Sequence, residues 1–314
     1  MPPIFFVHIP KTAGTSFRKA AEEFYSASHV VYDYSPASEE TSPLILEWVY
    51  EKGDWLGCYH AFEQSDIAFL SGHVHARKYI HLFGISQTVT FLREPVQRLV
   101  SEYNHFVRHH GYQGDLASFY RKPQFINRQT KMLQKVPLEG IGFLGLTEEY
   151  EASLAILNQI YEVDIPSVAM NMGREDTQKG YELPDAQLEE IRALNQDDIN
   201  LYRKAVKLFI QRQKLFEAGK PYVHGKMQPL SGKVLSGWAW YAGNDDAVMV
   251  NILVDGQRVD TVEAKDLRPA QLSLAPPRQG YVGFQYSFAK PPAKGTKIQA
   301  VAAETGQVLG QKRV

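Results

Sequence analysis

Ile4-Phe5-Phe6-Val7-His8-Ile9-Pro10-Lys11-Thr12-Ala13-Gly14-Thr15-Ser16-Phe17 is the stretch on which the fold turns. The apolar run Ile4 to Ile9 reads as a buried parallel strand, closed by Pro10. Beyond a short turn holding Gly14, apolar residues return at Phe17, Ala20, Ala21 and Phe24, which is helical spacing. A strand, a short polar loop with glycine, then a helix has the geometry of a phosphate cradle. Backbone N–H groups and the positive end of the helix dipole converge on one spot. Lys11 adds a full charge, and Thr12, Thr15 and Ser16 add hydroxyls.

The loop is not that of a nucleotide triphosphatase. There the lysine follows the second glycine and a hydroxyl behind it holds magnesium. Here Lys11 precedes Gly14. The run His8 to Phe17 instead resembles the 5′-phosphosulfate loop of the sulfotransferase superfamily, whose donor is 3′-phosphoadenosine-5′-phosphosulfate (PAPS). It is most similar to the membrane-family branch that includes heparan sulfate 2-O-sulfotransferase. The resemblance implies that Lys11, Thr12, Ala13, Gly14, Thr15 and Ser16 hold the donor's 5′-phosphosulfate.

Two further segments carry the reading. Ile67 to Leu70 is a short apolar strand ending in Ser71-Gly72-His73. Chemistry in open α/β sheets gathers at the carboxyl ends of strands, so His73 is placed to act as a general base. An imidazole titrating near neutrality suits removal of a hydroxyl proton. The related branch carries its catalytic histidine in a matching Gly-His-Val. His75 and His60 are the other histidines open to that role.

Thr88 to Leu92 reads as another buried strand, followed by Arg93-Glu94-Pro95 and a helix with Val96, Leu99, Val100, Tyr103 and Val107 on its inner face. Pro95 suits the first helical turn. Leu92-Arg93-Glu94-Pro95 through Arg98 and Ser101 resembles the family's second signature, Leu-Arg-(Asp/Glu)-Pro-x-x-Arg-x-x-Ser. That resemblance assigns Arg93 and Ser101 to the 3′-phosphate of PAPS, and guanidinium geometry favours such bidentate contact. Arg98 fits either a solvated helix face or a structural ion pair. Arg108-His109-His110 is a small basic patch, open to an acceptor or to solvent.

Asn127-Arg128-Gln129-Thr130 resembles a family Asn-x-Gln-Thr segment and reads equally as a helix cap. Phe143 to Tyr150 reads as the opening of a helix with Thr147 as N-cap, its buried stripe being Tyr150, Leu154, Leu157 and Tyr161. In the resemblance a late loop closes over the nucleotide, which would bring in Arg174 or Lys179; the stretch reads otherwise as a plain surface loop. Two helices, split near Asn195, follow between Pro184 and Ala218.

The 314 residues predict two domains. The first, residues 1–222, is expected to be α/β, a P-loop-type parallel sheet flanked by helices that binds PAPS. The second, 223–314, is expected to be a smaller all-β sandwich. Its alternation at Val248, Val250, Ile252 and Val254 runs into the hairpin turn Asp255-Gly256. This region resembles β-modules appended to bacterial glycan-modifying enzymes. Trp238, Trp240 and Tyr241 fit either sugar stacking or a small core.

Composition narrows the function. A net charge of −1 supplies no global field for nucleic acid or polyanions, so anion binding must be local. The single cysteine, Cys58, excludes an internal disulfide framework and fits a reducing compartment. No stretch approaches the roughly 20 apolar residues of a membrane span, and no basic leader precedes the loop. The expectation is a cytoplasmic bacterial enzyme, unlike the Golgi-anchored relatives. It would move a sulfuryl group from PAPS to an acceptor hydroxyl on a carbohydrate, with His73 as base, Lys11 neutralising leaving-group charge, 3′-phosphoadenosine-5′-phosphate (PAP) as product and no metal. A P-loop kinase-like phosphotransferase and a non-catalytic glycan- or nucleotide-binding protein are the alternative readings.

Overall fold

The computed structural model describes residues 3–167 and 180–314. Five short strands form one parallel sheet: β1 (Ile4–Val7), β2 (Val30–Asp33), β3 (Phe69–Gly72), β4 (Thr88–Leu92) and β5 (Phe143–Leu146), in the order β2-β3-β1-β4-β5. From β1 the chain passes over β3 to the β2 edge. From β3 it passes over β1 to reach β4 and then β5. The direction reverses at β1, and at such a reversal the carboxyl ends of neighbouring strands flank a crevice. β1, β3 and β4 therefore present their ends to one another.

The helices are α1 (Gly14–Tyr25), α2 (Pro43–Ile45, running into a π-helical turn Leu46–Glu51), α3 (Trp55–Gln64), α4 (Ile80–Phe83), α5 (Pro95–His110), α6 (Leu116–Tyr120), α7 (Arg128–Met132), α8 (Tyr150–Tyr161), α9 (Asp185–Leu194) and α10 (Gln196–Glu217). Alternate residues of β1 feed opposite faces of the sheet, as strand geometry requires. Phe6 meets Phe17 of α1 edge-on at 4.8 Å, whereas Phe5 meets Tyr79 at 5.4 Å. With apolar cover on both faces, every residue of β1, β3, β4 and β5 is buried. No helix among the described residues is long and apolar enough to cross a membrane.

Some expectations give way to the tertiary structure. Phe143–Leu146 is an edge strand, not the start of a helix. The Thr147 hydroxyl donates to the Leu92 carbonyl, tying β5 to β4, and caps nothing. Phe24 and Val107, set on buried faces by periodicity, are exposed at their helix ends.

Arg98 is fully buried. Its Nη1 donates to Glu102 at 2.6 Å and its Nη2 to the Phe125 carbonyl, so it is a structural ion pair inside the domain. Removing one partner of such a pair leaves a buried, uncompensated charge, which costs about 3–5 kcal/mol. Glu102→Ala is expected to lose that much in urea unfolding. The double variant Arg98→Met/Glu102→Leu is expected to recover most of it, because it buries no charge.

Beyond α10 the chain forms two antiparallel four-stranded sheets. One is ordered β10-β11-β7-β6 and the other β13-β12-β8-β9. Their strands are β6 (Val223–Met227), β7 (Val234–Tyr241), β8 (Met249–Val254), β9 (Gln257–Glu263), β10 (Asp266–Leu267), β11 (Tyr281–Ser287), β12 (Lys297–Ala302) and β13 (Val308–Arg313). Leu235, Ala239 and Phe284 of one sheet share a buried core with Val250, Ile252, Ile298 and Ala300 of the other. Asp255 and Gly256 both have positive φ, 48° and 86°, at the β8–β9 turn.

Trp238 and Trp240 do not face solvent. They stack on each other at 4.6 Å and pack into the core of the parallel-sheet region. Sugar stacking by these two rings is thereby excluded. The contact lies at the amino ends of the parallel strands: both indoles approach Gly140, just ahead of β5, and Ala275 approaches Gly84, ahead of β4. Arg212 of α10 crosses the same junction, donating to the Gly142 carbonyl and lying over the Tyr222 ring. The antiparallel sheets thus brace the rim of the parallel sheet opposite to its carboxyl ends.

Candidate active site

The loop between β1 and α1 is built around two left-handed residues, Lys11 (φ 67°) and Ala13 (φ 65°). Neither is glycine, so each conformation costs about 1–2 kcal/mol. Strain of this kind gathers at ligand sites. Thr12 is fully buried, and its hydroxyl donates to the Ile9 carbonyl at 2.9 Å. It holds the loop closed and does not offer its proton outward. Ala13 caps α1 with no side-chain bond, and the first turn carries no acid. Gly14 and Thr15 open the first turn, where a helix leaves N–H groups without intrahelical partners. Gly14 is required for a second reason: a Cβ there would sit 2.0 Å from Cδ2 of His8.

Arg93 follows β4 directly. Its Nη1 donates to the Lys11 carbonyl at 3.3 Å, bringing the second signature onto the first. Its backbone is held from the far side by Gln129. That fully buried amide accepts from the Arg93 N–H and donates to the Arg93 carbonyl, both at 3.0 Å. Gln129 is thereby a positioning residue for Arg93, a role the sequence left open between ligand contact and helix cap. The rest of its motif is capping. Asn127 accepts from the Asp198 N–H, and the Asp198 carboxylate accepts from the N–H groups of Gln129 and Thr130.

Ser101 lies two turns into α5 and is buried, with His105 and Arg108 four and seven residues on along the same face. The Lys11 ammonium feels that face. Burial pushes its pKa down, and the charges of Arg108 and Arg93 push it further. Burial, then Lys11, likewise pushes His105 down to about 4. Lysine and two arginines held near one another repel, and an anion among them relieves that repulsion. The donor set fits a ligand with more than one negative group. Arg174 and Lys179 lie outside the described residues.

His73 is the first residue past β3. Its Nδ1 lies 2.6 Å from the His8 carbonyl oxygen, which can only accept. The proton is therefore on Nδ1, and Nε2 keeps its lone pair. His73 is exposed as a residue, yet burial of its ring among neighbouring atoms is the main cause that lowers its pKa. Arg128 and Arg18 lower it further, against the His8 hydrogen bond. The result is a neutral imidazole with an accepting nitrogen. His75 is turned to the Lys131 carbonyl, and His60 pairs with Glu63 on the exposed face of α3. Of the three, His73 is the one bonded to the loop.

Two supporting residues owe their roles to tertiary contacts: His8, inside the loop run, and Tyr34. His8 is buried under the loop, with its ring 4.4 Å from that of His73 and its Nδ1 2.8 Å from the Tyr34 hydroxyl. Tyr34 also meets the His73 ring edge-on at 4.7 Å. It stands in a polar turn after β2, where no periodicity marks it.

No protein-family model, curated protein or solved structure matches the chain.

Burial holds His8 and His224 well below the ordinary histidine value of 6.5. Below that pH the unfolded chain takes up protons that the native state refuses, so stability falls as pH drops through it. The urea midpoint is expected to be flat from about pH 8 to 7 and to decline from about pH 6.5 to 5.

Proposed function

We propose that this chain is a PAPS-dependent O-sulfotransferase acting on a carbohydrate hydroxyl. One observation carries the reading. The Lys11 loop, Arg93 and His73 leave the carboxyl ends of three adjacent strands, β1, β4 and β3, and are joined by direct hydrogen bonds. That arrangement supports a donor held on one side of β1 and a base on the other.

In this reading the loop from Lys11 to Ser16 binds the 5′-phosphosulfate, with Thr12 keeping it closed. Arg93 and Ser101 bind the 3′-phosphate, and Gln129 holds Arg93 in place. His73 Nε2 accepts the acceptor's hydroxyl proton, its Nδ1–H anchored on the His8 carbonyl. Lys11 neutralises charge on the departing phosphate oxygen. Bound PAPS supplies the sulfuryl group: the acceptor oxygen forms the new O–S bond, the old O–S bond breaks, and PAP keeps its electron pair.

A net charge of −1 argues for an oligosaccharide or lipid-linked sugar over a heavily anionic polymer. The lone thiol Cys58, buried against solvent, goes with a reducing, cytoplasmic setting.

Thermal unfolding in the presence of PAP, AMP or ATP with magnesium tests the reading, because a ligand bound to the native state raises apparent stability. Stabilisation by PAP well beyond that by AMP is expected. Preference for ATP with magnesium would replace it with a kinase. No response to any nucleotide would leave a binding protein.

A further inference from the structure

The surroundings of His8 assign a role to a residue that neither phosphate motif contains. The His8 backbone is clamped to β3 on both sides: its N–H donates to the Gly72 carbonyl at 3.0 Å and its carbonyl accepts from His73 Nδ1 at 2.6 Å. Its ring has no room to move toward α1, because the Cδ2–Nε2 edge abuts Gly14. The ring stacks on Phe6 at 5.4 Å and is tied by the 2.8 Å hydrogen bond between Nδ1 and the Tyr34 hydroxyl. Tyr34 is itself restrained. The Arg18 guanidinium lies 5.3 Å from its ring centroid, and Ser71 Oγ, buried and with no other hydrogen-bond partner among the described residues, stands 3.4 Å from the hydroxyl.

These contacts select a tautomer. The buried Ser71 hydroxyl has the phenol oxygen as its partner for its own proton, so it donates to Tyr34 and leaves the phenol O–H to be given to His8. His8 Nδ1 is then the acceptor, and its proton sits on Nε2, against Gly14. His73 carries its proton on the opposite nitrogen, Nδ1. The two neighbouring imidazoles are thus fixed in complementary tautomers, with His8 giving His73 both a carbonyl to bond and a ring to pack on.

We propose that Tyr34 is a positioning residue for the general base, acting through His8: the phenol fixes the His8 ring, and the His8 carbonyl sets the plane of His73. The effect on rate rests on His73 being the base of the proposed sulfotransferase. The tautomers do not.

The test compares the full chain with Tyr34→Phe, which keeps the ring and removes the hydroxyl. Nitrogen-15 NMR of the histidine rings near pH 7 is read first, with His8 and His73 assigned from their glutamine variants. Wild-type protein is expected to show His8 protonated on Nε2 and His73 on Nδ1. In Tyr34→Phe the His8 signal is expected to become a mixture of tautomers. With an acceptor that the wild type sulfates, kcat is expected to fall by about tenfold, the scale of leaving a buried nitrogen unpaired. The donor KM and stabilisation by PAP should stay within about twofold of wild type. A loss confined to kcat separates positioning from general damage.

An unchanged His8 tautomer, or an unchanged kcat, overturns the proposal. If PAP fails to stabilise even the wild type, the sulfotransferase reading fails, and the tautomer measurement then decides the Tyr34–His8 link alone. Should Tyr34→Phe not fold, Ser71→Ala on β3 removes the hydroxyl that directs the phenol. It is expected to give the same tautomer mixture, and a single tautomer there overturns the link.

Discussion

Replacing His73 with alanine is expected to lower kcat by about 10²–10⁴-fold, the usual contribution of a positioned general base. Stabilisation by PAP should stay within about twofold, because His73 stands on the β3 side of β1 and the proposed phosphate sites are at the loop and on the β4 side. His73→Gln should be as inactive, since an amide cannot take the proton. His75→Ala should be close to wild type, because that ring is bonded to the Lys131 carbonyl and not to the loop. The pH profile carries the same information with a sign. The working form is the neutral imidazole, so activity rises as pH climbs through its pKa. Burial, Arg128 and Arg18 hold that pKa below the ordinary 6.5. The rise should be complete by about pH 7 and centred on the acid side of a free histidine. Full activity of His73→Ala would remove the base from the mechanism. A rise centred above 6.5 would show that another group carries the proton.

What the sequence made legible follows from how local the causes are. β1 and β4 are apolar runs closed by polar corners, and each corner opens a helix, so Lys11 and Arg93 are placed by neighbours within a few residues. β2 and β5 are no shorter than β1, but β2 ends in Tyr32-Asp33 and β5 carries Gly145, so neither reads as an unbroken apolar run. β5 also runs into Thr147-Glu148-Glu149, which imitates a helix cap until the Thr147 hydroxyl is seen bonded across to Leu92. The tryptophans of β7 look like a sugar platform because aromatic residues on a strand have no intrinsic inside. A second region packing on them decides it. Gln129 and Tyr34 lie furthest from sequence reach. One acts on Arg93 from 36 residues away and the other on His8 from 26, through single hydrogen bonds that leave no pattern along the chain.

The Arg93→Ala variant is expected to lose roughly tenfold to a hundredfold in affinity for PAP, the worth of about 1.5–3 kcal/mol for hydrogen bonds to a charged group. Affinity for AMP, which lacks the 3′-phosphate, should change little, so calorimetric titration of the two nucleotides reads the site and not the fold. Arg93→Lys should recover only part of the loss, since an ammonium keeps the charge and gives up the planar fork. Gln129→Ala separates contact from positioning. It leaves the guanidinium intact but removes both hydrogen bonds that hold the Arg93 backbone. It should weaken PAP in the same selective way, by less than Arg93→Ala. Equal losses for PAP and AMP in Arg93→Ala would move the arginine to the 5′ end of the nucleotide, beside the Lys11 carbonyl it already touches. The ammonium of Lys11 offers a second check, because Arg93 is one of the charges that depress its pKa. With Arg93 gone that pKa should rise toward its ordinary value, and the lysine should become less reactive to amine-modifying reagents at pH 8. The two signatures, 82 residues apart in the sequence, would then be one electrostatic unit, in which each cation raises the affinity for an anion that both share.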